Sequence, residues 1–405
     1  MKLIDSFIFL FLFLFCFIAC SKAQSADEIL KLNTTEVKVG AELVDEYLPL
    51  LQGKRVGILT NHTGLIGEEH LVDFLYKAGI NIIYIFAPEH GFRGDADAGE
   101  RINDSVDSKT GIAIYSLYKN KAGRPDNKIM QELDIVIFDI QDVGLRYYTY
   151  YISMYKMMDA CAENNKTMLI LDRPNPNGFY VDGPILDMKY KSGVGYLPIP
   201  IVHGMTLGEL ANMINGEKWL PEQRNCELKV IKSKNYTRQT RYSLPVPPSP
   251  NLPNMKSVYL YASTCFFEGT SVSLGRGTEA PFQIYGSPDM KGFDFSFIPR
   301  SMSGAKNPPF KDQICYGRDL RDISDKDICL AGINLDYIIE SYNAIEGKES
   351  FFKPFFENLI GVDYVRKMII EGKSSGEIKE FWQKDIDSFL IQRKPYLLYE
   401  EGIHQ

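Results

Sequence analysis

Apolar residues in the first half of the chain come in short β-rich runs at 55–61, 81–87, 134–139, 167–171 and 199–202. Between several of them the spacing turns helical. Residues 69–77 place Leu71, Phe74 and Leu75 on one face, 151–163 form a longer aromatic-rich stretch, and Thr206 opens a helix with Glu209 in the capping-box position. Strands alternating with helices predict a parallel sheet. The unbroken run Ile135-Val136-Ile137-Phe138 suits a central strand covered on both faces. Near residues 244–253 the pattern stops, because so dense a cluster of prolines excludes both helix and central strand. This is the expected domain junction. Beyond it the sequence predicts a strand at 258–262, a glycine-rich loop Gly275-Arg276-Gly277-Thr278, and helices near 338–343, 361–371 and 375–389. The fold class expected is α/β, a parallel-sheet domain followed by a smaller α+β domain.

The N-terminus has a pattern of its own. Met1-Lys2-Leu3 leads into an apolar run over 7–19, too short for a membrane span and suited to a signal peptide over 1–19. Ala19 before Cys20 resembles a lipoprotein processing site, with Cys20 as the anchored residue and 20–36 as a linker. Cleavage at Ser21-Lys22-Ala23 is the rival. Either way the chain is expected to be exported, to the periplasm or to an outer-membrane surface. The formal net charge is -7, and Lys2 and Asp5 cancel in the segment removed. No basic stripe occurs, which argues against nucleic acid as a partner. Of seven cysteines, Cys16 and Cys20 belong to the leader and its cleavage site. The other five have no zinc-like CxxC spacing and read as buried thiols, with one bridge open to them.

Chemistry gathers at the strand ends. The runs close in Asn61-His62-Thr63-Gly64, in Pro88-Glu89-His90-Gly91-Phe92-Arg93-Gly94, in Asp139 to Arg146, in Asp172-Arg173-Pro174-Asn175, and in His203-Gly204. Three of the five histidines thus end three different strands. In open parallel sheets ligands bind beyond these carboxyl ends, so one shared site is expected there. Glu89, Asp142 and Asp172 suit acid–base work, and a hydrophobic wall such as Phe92 raises a glutamate toward the range of a general acid. Glycoside cleavage needs such an acid. The run Tyr147 to Tyr151, Tyr148 included, suits stacking on a sugar and equally a core helix. A metal site built from His62, His90, His203, Asp142 and Asp172 lacks any HxxxH or HExxH signature. Residues 57–64 contain no GxGxxG and no phosphate-loop pattern occurs anywhere, and the GxSxG match at 372–376 lies between two expected helices, where it reads as a helix break with a capping serine. No metal and no cofactor is expected.

These strings, with Gly57 to Gly64, Asp139 to Tyr150 and Pro247-Pro248-Ser249-Pro250-Asn251, resemble the exo-β-N-acetylmuramidases of the NamZ/YbbC type, once catalogued as a domain of unknown function. The resemblance runs from about Val37 to Tyr399. It implies a Rossmann-like domain over 37–246, a smaller domain over 247–405, and a site in the cleft between them. It also implies a glycoside hydrolase that releases N-acetylmuramic acid from the non-reducing end of peptidoglycan fragments. Carried over, the glutamate of the PEHG motif falls on Glu89 as general acid, with His90 and Arg93 beside it. Asp142 is either a base for water or an orienting group for the substrate's own 2-acetamido nucleophile. Asn61 and His62 line the pocket, and Tyr148, Asp172, Arg173 and His203 are further substrate-binding candidates. Arg146 or Arg276 pairs with the lactyl carboxylate or braces loops. Glu268, Arg276 and Thr278 form the second wall. Two other readings stay open: a metal-dependent deacetylase or amidase of cell-wall glycans, and a glycan-binding surface lipoprotein without activity.

Overall fold

A computed structural model describes residues 36–88, 91–92, 104–117 and 123–401. The expected leader, Cys20, and the site candidates Glu89, His90 and Arg93 lie outside the described residues. Twelve strands are described: β1 Val56–Thr60, β2 Leu65–Ile66, β3 Glu69–His70, β4 Ile82–Ala87, β5 Ser105–Val106, β6 Ala113–Ser116, β7 Ile135–Asp139, β8 Thr167–Leu171, β9 Glu227–Ile231, β10 Ile284–Ser287, β11 Phe295–Phe297 and β12 Cys315–Asp319. Seven of them form one sheet in the order β5-β6-β4-β1-β7-β8-β9. All pairs are parallel except the β5–β6 edge. The chain runs outward from β1 to β4 and β6, then returns to β7 on the other side of β1. That reversal puts the topological switch point between β1 and β7, where an open α/β sheet binds its ligand.

Side chains alternate across the central strands as the pleat demands. Val136 and Phe138 of β7 join one apolar core, Ile135 and Ile137 the other, and all four are buried. The first core extends far beyond the sheet. It takes in Phe266, Trp382 and Phe389, so the C-terminal domain buries its apolar surface against one face of the sheet. From Val39 onward the chain packs as one compact unit. A three-stranded antiparallel sheet, β10-β12-β11, lies in the C-terminal part.

Local signals decide several elements. Thr206 and Glu209 form the expected capping box of helix Leu207–Gly216, and Ser374 with Glu377 does the same for Ser375–Arg393. Two expected strands are corrected. Residues 199–202 make only bridges, Val202 to Leu145 and to Asp182, and the last parallel strand is β9 instead. Residues 258–262 lie in helix Met255–Thr264, whose N-cap Asn254 accepts from the Ser257 N–H. Its run of Val, Tyr and Leu suits a strand in isolation, but burial against the sheet decides for the helix. Among the described residues all five cysteines are free, four of them buried, and no helix is long and apolar enough to cross a membrane.

Candidate active site

The loops that follow β1 and β7 are sewn together at the switch point. Asn61 is fully buried, and its Oδ1 accepts from the Thr63 N–H at 3.0 Å and the Thr63 hydroxyl at 2.6 Å. Thr63 Oγ1 in turn accepts from the Gln141 N–H at 2.9 Å, and Gln141 Nε2 reaches Pro174 O at 2.8 Å. Three strand ends are thereby fixed relative to one another. Asn61 Nδ2 is buried with no hydrogen-bond partner, a donor left over at the sheet edge.

Asp142 sits on this frame. Its Oδ1 accepts from the Gly144 N–H at 2.7 Å, while Oδ2 is buried without a partner. Burial pushes the carboxyl up to about 7, against the pull of the Gly144 and Val143 N–H groups. A carboxyl that changes protonation near neutrality is suited to acid–base work. Gly144 has φ +76, and a Cβ there would come within 2.1 Å of Asn175 Oδ1. The tight turn beside Asp142 therefore requires glycine.

Of residues 88–92, Pro88, Gly91 and Phe92 are described. Ala87 is buried at the end of β4, and the Gly91 N–H donates to Pro88 O at 3.1 Å. Phe92 is buried with its ring edge-on to His70 at 4.9 Å, and His70 Nε2 donates to Asn61 O at 2.8 Å. The two residues between Gly91 and Pro88 are Glu89 and His90.

A pocket of about 150 Å3 opens between Tyr148 and Tyr150 on one side and Tyr261, Glu268 and Arg276 on the other. The proline-rich segment closes it from above. His62 Nε2 donates to Pro247 O at 2.9 Å, the Tyr148 hydroxyl donates to Pro248 O at 2.7 Å, and Ser249 and Asn251 line the opening. The expected junction is thus also a pocket wall. Within it Arg276 directs both Nε (3.0 Å) and Nη2 (2.5 Å) to Glu268 Oε1. Burial opposes the guanidinium charge, yet Glu268 holds its pKa above the ordinary value. The pair is about a quarter exposed on each side, so both groups face the opening.

Four other strand-end candidates turn inward. Arg146 is fully buried and donates to four carbonyls: Pro184 O and Ile199 O from Nη1, Leu359 O and Ile360 O from Nη2. Of the two roles expected for it, the geometry is that of a brace. Asp172 accepts from the Thr206 hydroxyl (2.6 Å), the Tyr399 hydroxyl (2.7 Å) and the Gly208 N–H (2.9 Å), which ties it to the start of helix Leu207–Gly216. Burial lifts it to about 6, against those three donors. Arg173 is buried in a two-point pair with Asp139, at 2.6 and 3.0 Å. His203 is fully buried, its Nδ1 accepts from the Met205 N–H at 3.2 Å, and burial followed by the nearby Arg393, Arg238 and Arg146 charges lowers it to about 3. Asp172 and Arg173 are thus held by partners under the edge, while His203 Nε2 is buried without one. Among the described residues no cluster of His, Cys, Asp and Glu is placed to hold a metal ion.

Ser249 and Asn251 in the pocket, and Thr63 and Gln141 in the frame, lie within the sequence motifs without a role assigned to them, and Tyr261 and Phe282 were missed. The signal for the first two was the pair of polar residues set among prolines. Tyr261 was hidden by the strand reading of its helix.

The comparisons with known proteins agree with this architecture. The family model described as exo-beta-N-acetylmuramidase NamZ, N-terminal, matches residues 56–256, and its C-terminal counterpart matches residues 259–399. The peptidoglycan beta-N-acetylmuramidase NamZ of Bacillus subtilis (strain 168) is 36% identical over 385 residues, covering 90% of this chain and 92% of that relative. A solved DUF1343 family protein of Bacteroides fragilis NCTC 9343 superposes with TM-score 0.86 at 58% identity, covering 91% of this chain and 100% of its own. A second from the same organism gives TM-score 0.71 at 28% identity, covering 90% and 99%. On the sheet, the pocket and these matches together, the chain belongs to the exo-β-N-acetylmuramidase NamZ family and is a glycoside hydrolase.

Proposed function

We propose that the chain is an exo-acting hydrolase that releases N-acetylmuramic acid from the non-reducing end of peptidoglycan fragments, with Glu89 as the general acid. The observation that carries the reading is the pocket at the sheet edge, which joins tyrosine faces to an arginine paired with a single carboxylate oxygen. Tyrosine rings suit the apolar face of a sugar. A guanidinium suits the lactyl carboxylate that distinguishes muramic acid from glucosamine. In this reading the Glu89 carboxyl gives its proton to the glycosidic oxygen, the bond from that oxygen to the anomeric carbon breaks, and the Glu89 carboxylate is reprotonated from solvent. Asp142 completes the reaction as base for the incoming water, or by orienting the 2-acetamido group whose oxygen attacks the anomeric carbon first, the resulting oxazoline then being opened by water at that carbon. Phe92, three residues on in the sequence, is buried, and an apolar neighbour of that kind would keep a carboxyl protonated.

Export follows from the apolar run over 7–19, and Cys20 is proposed as a lipid anchor. Mass spectrometry of the mature N-terminus reports both.

The test of the catalytic reading is direct. A chromogenic N-acetylmuramide should be hydrolysed with or without EDTA, and Glu89→Gln should lose at least about a hundredfold in kcat with its fold intact by circular dichroism. Undiminished turnover in that variant removes Glu89 from the acid role, and loss of activity with chelator revives the metal-dependent alternative.

A further inference from the structure

The helix Tyr150–Glu163 carries a stripe that the site described above does not use. Ile152 and Ser153 lie three and four residues after Thr149, and Lys156 lies four and three residues after them, so the four share one face, while Met154, Met157 and Met158 are buried in the core behind it. With Leu117, Gly123 and Gly193 the stripe lines a hollow of about 260 Å3, which shares Thr149 with the Glu268–Arg276 pocket. A Cβ at Gly123 would come within 2.4 Å of Lys156 Nζ, and nothing stands within 4 Å of the Cβ position at Gly193. The Lys156 ammonium is half-buried here, burial lowers its pKa, and among the described residues it makes no ion pair with a carboxylate. A cation held in such a place with no anion beside it is short of a partner. The start of the helix at Thr149 adds its positive dipole end to the same opening.

We infer that this hollow is a second substrate subsite, in which Lys156 pairs with a carboxylate other than the one taken by Arg276. The inference rests on the muramic-acid reading of the neighbouring pocket. A peptide carried on the terminal sugar and the lactyl group of a muramic acid further along the glycan both supply that carboxylate. In either case the hollow reads what lies next to the cleaved sugar, and so sets which fragments are preferred.

Three substrates separate the sources: the peptide-free muramic acid–glucosamine disaccharide, the same disaccharide with a short acidic peptide, and the peptide-free tetrasaccharide. Lys156→Met should raise KM for the peptide-bearing or the longer substrate by about tenfold more than for the bare disaccharide, in line with the loss of one charge-assisted hydrogen bond. Lys156→Arg should restore most of it. The kcat values should stay together. A KM change equal on all three substrates, or none on any, overturns the subsite. Wild-type protein that cleaves none of them overturns the functional reading instead. The hollow is then judged by calorimetric titration with N-acetylmuramic acid carrying the same peptide, which must bind wild type at least about tenfold more tightly than Lys156→Met for the inference to stand.

Discussion

Two arginines of this chain show how position decides what one side chain does. Arg146 and Arg276 both lie where the sequence expects an anion, yet the first faces four carbonyls and the second a carboxylate at an opening. Removing Arg146 orphans buried carbonyls, each of which costs about 1–3 kcal/mol when left without a donor. Arg146→Met should therefore lower stability by at least about 3 kcal/mol, read as a drop in the urea midpoint. Arg276→Lys should keep that midpoint within about 1 kcal/mol, since the pair is partly exposed. It should raise KM for muramic-acid substrates about tenfold, because a lysine cannot hold a carboxylate at two points. A destabilised Arg276→Lys with normal KM would reverse the assignment of the two residues.

Elements became legible where their signals were local. Thr206 announces its helix through the glutamate three residues on, and that capping box is present, as is one from Ser374 to Glu377. The central strands of the sheet were equally plain, because both of their faces are buried. β9 was missed for the opposite reason: Glu227-Leu228-Lys229-Val230-Ile231 is an edge strand with alternating exposure, and the apolar run at 199–202 competed for its place. The site was legible as an edge and not as a set of contacts. Whether Asp172 faces substrate or a helix start depends on Tyr399, which arrives from the far end of the chain. Thr206 links the two scales, since it caps its helix and donates to Asp172. Thr206→Ala should cost about 1–2 kcal/mol by thermal or urea denaturation, whereas Thr206→Ser should recover most of it. Equal losses in both variants would show that the methyl group, not the hydroxyl, matters.

Across the whole molecule, buried titratable groups under the sheet edge pull stability in opposite directions as pH changes. His203 is held down to about 3, whereas an unfolded imidazole titrates near 6.5. Below pH 6.5 the unfolded chain therefore binds a proton that the folded one refuses, and this term destabilises the fold progressively down to about pH 3. Asp142 and Asp172 act with the other sign. Their carboxyls sit at about 7 and about 6 when folded and near 3.9 when unfolded, so between those limits the folded chain holds protons that the unfolded one has lost. Their contribution grows as pH falls from 7 toward 4. Each group inside its window changes stability by about 1.4 kcal/mol per pH unit. His203→Asn keeps an acceptor for the Met205 N–H and removes the titration. Between pH 6 and 5 the urea midpoint of the variant should therefore rise relative to that of wild type, by an amount equivalent to about 1 kcal/mol. Midpoints that run parallel across this interval would mean that His203 takes up its proton near the ordinary value, and that the ring of Arg146, Arg238 and Arg393 around it is less closed than the packing implies.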